Sequence, residues 1–183
     1  MKLFELENNI VTFSPQALLL EPFKVLWERD KSKGKVYSKA ELAYIWYMED
    51  VRSDFYDIVD EDERRVEVLK FLTELPSTYT TDKQVEDALD LYKKMSEGVS
   101  VKILKDTMIM VNNLRKAMVD MDFTERDKSG KPVYDYGKAL DLAGKVPTLL
   151  KNLKDIYREI EREAEEQHLM RGGRLKATFE DGM

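Results

Sequence analysis

The chain has no cysteine and one histidine, His168, in 183 residues. The first absence excludes thiol catalysis, disulfide staples and Cys-ligated zinc or iron–sulfur centres. The second excludes an HExxH site and any multi-histidine metal site within one chain. A Ser–His–Asp triad would depend on His168, which sits in the charged stretch EREAEEQHLMRGG. No apolar run reaches the roughly 18 residues of a membrane span. The first residues, MKLFELENNIVTF, lack the basic start and apolar centre of a secretory signal. Basic residues are outnumbered, 30 against 36 acidic, for a net charge of −6, which argues against broad contact with nucleic-acid phosphates.

What is present suits a packed domain. With 43% hydrophobic and 10% aromatic residues, the 36% charged content does not imply disorder. Periodicity predicts a mainly α fold, a single helical domain of about six helices with small β-prone arms. Residues 1–14 read as an extended N-terminal arm: two short β-rich runs flank Asn8-Asn9, which suits a hairpin or a docked arm. The helical domain is expected over 15–170, and 171–183 reads as a flexible tail.

Within the domain, Pro22 breaks or restarts the first helix. Ser38 and Glu41 match a capping box. The segment Ala40–Met48 that follows, AELAYIWYM, is apolar nearly all round, as in a helix buried on two sides. Asp60 opens a further helix that turns Val66, Leu69, Phe71 and Leu72 inward. Asp82 caps another, with Val85, Ala88, Leu89 and Tyr92 on one face. Gly98 interrupts, and residues 100–122 read as a long, apolar, central helix. Residues 123–136 suggest a β-hairpin insertion around Ser129-Gly130, and Pro147 opens the last long helix. Leu149, Leu153, Ile156, Tyr157 and Ile160 make a coiled-coil-like seam along it.

No constellation points to catalysis, a cofactor or a metal. The run Asp60–Glu63 lacks the glycine-centred spacing of a calcium loop and serves a helix start through the dipole. The glutamates between 159 and 166 alternate with Arg158 and Arg162, as on a solvated helix. The methionines between 108 and 121 read as core filler. The aromatics carry more information. Tyr44, Trp46 and Tyr47 spread around one helix and cannot share one stripe, so some must meet a second surface, either a further layer of the domain or another chain. Together with Arg52, Phe55 and Tyr56, with Tyr134 and Tyr136, and with the tail residues Arg171 and Arg174, they form the candidate protein interface.

The stretch Ala43–Asp57, AYIWYMEDVRSDFYD, and the acidic run into arginine at 60–65, DEDERR, resemble tailed-phage structural proteins. The pattern is similar to the head-to-tail connector (neck ring) proteins of crAss-like bacteriophages. The residues that carry it are Tyr44, Ile45, Tyr47, Met48, Asp50, Arg52, Ser53, Phe55, Tyr56, Glu61, Glu63 and Arg64. The resemblance implies a small, non-enzymatic virion protein. It would repeat as a homo-oligomeric ring below the portal, made in the host cytoplasm and placed at the head-to-tail junction. Its partners would be further copies of itself, the portal, adjacent tail or neck proteins, and DNA passing without sequence-specific binding; no membrane is involved. The alternative is a cytosolic helical adaptor that binds one partner through the last helix and tail.

Overall fold

The computed structural model describes residues 3–7 and 10–168. They are mainly helical, with six α-helices and a two-stranded antiparallel sheet. They divide into two compact units. One runs up to Gly98 and resumes at Ala164; the other is Val99–Glu163.

In the first unit, β1 (Phe4–Glu7) pairs antiparallel with β2 (Ile10–Phe13), Phe4 opposite Phe13 and Glu7 opposite Ile10. The N-terminal arm is therefore a hairpin, one of its two expected forms; the Asn8-Asn9 turn itself lies outside the described residues. Alternation turns Phe4 into the core, edge-on to Phe23 (5.7 Å) and Tyr92 (5.0 Å). A short 3₁₀ turn at Ala17–Leu19 precedes α1 (Glu21–Arg29). Pro22 occupies the first turn of α1, where its missing N–H costs nothing.

Gly34 and Lys35 both adopt the left-handed region (φ 92° and 55°) and reverse the chain into α2 (Val36–Glu49). The expected capping box at Ser38 does not form, because α2 starts two residues earlier. Ser38 lies in its first turn and is fully buried, its hydroxyl donating to the Leu26 carbonyl (2.7 Å). The cap comes from the preceding loop instead: Asp30 Oδ2 accepts from the Ser38 N–H (3.0 Å). The helix is buried on nearly every side, packed against α1, β2, α3 (Glu61–Phe71) and α4 (Lys83–Ser96).

Both expected acidic caps are in place. Asp60 Oδ1 accepts from the N–H groups of Asp62 and Glu63, and Asp82 Oδ1 from those of Gln84 and Val85, all at 3.0 Å. The inward face of α3 differs from the expectation. Val68, Leu69 and Arg64 are buried, with Leu72 just past the helix end, whereas Val66 and Phe71 are each 51% exposed. Val68 and Arg64 are one turn apart on the buried face, opposite Val66; Phe71 shares their side but is the last residue of the helix.

The second unit holds α5 (Val99–Asp120) and the part of α6 (Tyr136–His168) up to Glu163. Ser100 Oγ donates to Glu163 Oε1 (2.7 Å), and the Tyr157 hydroxyl meets Met108 Sδ (3.8 Å), so the two helices run antiparallel. Three expectations are corrected here. α5 is not central throughout, for only Leu104 and Met108 on it are buried. α6 does not open at Pro147 but runs through it, forgoing only the bond that residue 147 would give to the carbonyl one turn back. The expected strands at 123–136 reduce to one bridge, Arg126 to Pro132. Pro132 has no N–H for a ladder, and Asp127 Oδ1 takes the N–H groups of Ser129 (2.8 Å) and Lys131 (2.9 Å).

Candidate functional site: a buried corner and an open groove

The end of α2 is buried, so its last carbonyls need partners that water cannot supply. The following loop and α3 supply them one by one. The Asp50 N–H donates to the Trp46 carbonyl (2.9 Å), Ser53 Oγ to the Tyr47 carbonyl (2.8 Å) and Arg64 Nη1 to the Met48 carbonyl (2.8 Å). Arg64 also donates to the carbonyls of Ile58 (2.8 Å) and Tyr56 (3.3 Å) and stacks on the Tyr56 ring. It is 4% exposed. The Arg-Ser-x-aromatic turn and the arginine that ends the acidic helix start are thus one device for closing a helix terminus.

Asp50 adds a second layer. Its carboxylate accepts from Arg52 Nε (2.8 Å), Arg52 Nη2 (2.7 Å) and the Tyr92 hydroxyl of α4. Burial pushes the Asp50 carboxyl up, but Arg52 and Tyr92 outweigh it and hold it below its ordinary range. The same burial, with Asp50 beside it, raises the Tyr92 phenol. Arg52 also lies over the Trp46 ring, 5.9 Å from its centre.

At the opposite end of α2, Glu41 is 1% exposed. Its Oε1 accepts from Arg29 Nη2 and from the Tyr79 hydroxyl (3.0 Å). Arg29 also reaches Asp82 Oδ2 (2.6 Å) and Gln84 Oε1 (2.8 Å), which ties α1 to the start of α4. Burial raises the Glu41 carboxyl above its ordinary value, and Arg29 and Tyr79 offset this only in part. The sequence held a signal for this pair: a glutamate inside AELAYIWYM has to find a buried cation or hydroxyl.

The predicted interface residues part company. Tyr44 (2% exposed), Trp46 (1%), Tyr47 (4%) and Tyr56 (5%) are core residues and do not offer an exposed face, which corrects their assignment as interface anchors. The second surface that the helix required is supplied by its own unit. Tyr44 meets Tyr79 (5.6 Å), Trp46 meets Tyr47 (5.0 Å), and Tyr47 meets both Phe55 (5.5 Å) and Phe71 (5.2 Å). Phe55 is half-buried, and Arg52 remains 42% exposed at its side chain. Elsewhere, Tyr134 is half-buried, and Tyr136 is 61% exposed and stacked on Phe123 (4.4 Å). Arg171 and Arg174 lie outside the described residues.

Sequence reasoning missed the exposed apolar site. An open groove of about 360 Å³ runs between β2, α2 and α3, floored by Ala40, Ala43 and Tyr47. Ile10 (67% exposed), Val36 (53%) and Phe71 form its apolar walls, with Lys39 and Glu74 at its polar rim. These residues are scattered over three elements, and no single periodicity marks them. A groove of this kind suits an amphipathic helix or an extended segment. Among the described residues, no group of three or more acidic or histidine side chains is placed to hold a metal, and no helix is long and apolar enough to cross a membrane.

No protein-family model, curated protein or solved structure matches the chain.

Proposed function

We propose that this chain is a ring-forming structural subunit of the head-to-tail connector of a tailed bacteriophage. In that role it sits below the portal, bridges capsid vertex and tail, and lines the DNA channel without reading sequence. The observation that carries the assembly part of this reading is a pair of dissimilar uncovered apolar faces. One is the concave groove of the first unit. The other is a convex stripe on α5, where Val99 (75% exposed), Ile103 (50%) and Met110 (49%) recur at spacings of four and seven. Head-to-tail rings need two different complementary faces on each subunit. The assignment to a phage connector is supported by the resemblance of residues 43–65, which in this fold form the corner that closes α2. The acidic balance suits a wall that repels passing phosphates.

The test is quantitative mass spectrometry of purified particles from the source, calibrated against the portal protein. A fixed copy number comparable to the portal is the expected result. Absence from particles that keep their tails overturns the reading and leaves the adaptor, acting through the last helix and tail, as the alternative.

A further inference from the structure

We draw no further inference here: the strongest candidate, the open apolar groove between β2, α2 and α3, carries nothing because nothing in the structure shows what covers it.

Discussion

Arg64→Ala tests how the corner after α2 is held. In the native fold the guanidinium serves three main-chain carbonyls, of which those of Met48 and Tyr56 are enclosed and that of Ile58 is partly so. Each buried carbonyl left unpaired costs about 1–3 kcal/mol. The long bond to Tyr56 (3.3 Å) and the more accessible Ile58 oxygen fall at the low end of that range, and the Met48 oxygen falls higher. Loss of the stacking on Tyr56 and of the buried stem adds roughly 1 kcal/mol. The sum is about 4 kcal/mol, a large share of the roughly 5–15 kcal/mol that holds a domain together. In urea, with a slope near 2 kcal/mol/M, the midpoint should fall by about 2 M. Arg64→Lys keeps the charge but presents a single ammonium, so it should recover less than half of the loss. Circular dichroism of both variants against the parent, fitted with a shared slope, reads this directly. A midpoint for the alanine variant within about 0.3 M of the parent would refute the account and mean that the carbonyls find other partners.

Two further outcomes follow from the same packing. Trp46→Ala should destabilise the monomer itself by about 3–5 kcal/mol, since it empties a fully buried site; Tyr136→Ala, on an exposed ring, should cost no more than about 1 kcal/mol, and equal losses in thermal melts would contradict the burial pattern. Asp50→Asn should flatten the acid side of the stability profile. The native carboxyl is held below its ordinary value, so its contribution is complete above pH of about 4 and fades as pH falls through the lowered value. Glu41 is shifted the other way, so its contribution is complete at low pH and lost as pH rises; it is present in both proteins and cancels in the difference. Urea titrations at steps between pH 2 and pH 7 measure that difference, and parallel profiles would show that Asp50 gains nothing from Arg52 and Tyr92.

The candidate site was only half legible in the sequence. The aromatic helix, the Ser53 turn and the arginine after the acidic run all stood out as a pattern, and all three meet at the closed end of α2. Their role did not follow from the pattern, because an exposed anchor and a core ring are the same residue type. Periodicity also promoted Phe71 to the interior, yet it forms a wall of the open groove. It shares a side of α3 with Val68 and Arg64, three and seven residues back, but it is the last residue of the helix and faces the open groove, a position that periodicity does not report.

What the sequence determined by itself is the set of features governed by short-range physics. Asp60 and Asp82 cap helices because a carboxylate can reach the N–H groups two and three residues on, wherever the helix lies. Pro22 suits a helix start because its own ring sets its backbone. The mainly α class follows from apolar spacing summed over many residues, and the exclusion of thiol chemistry from the absence of cysteine. Tertiary structure alone decided what depends on distant partners. Asp30, eight residues upstream, took the capping role expected of Ser38, because the left-handed turn at Gly34 and Lys35 brings it back onto α2. Arg29 and Tyr79, twelve and thirty-eight residues from Glu41, made a buried carboxylate tenable. The aromatic residues became core because three helices and a hairpin strand close around α2, whereas the groove stayed open because no element of its own unit covers it. Burial is a property of what surrounds a residue, and a single chain position does not carry that information.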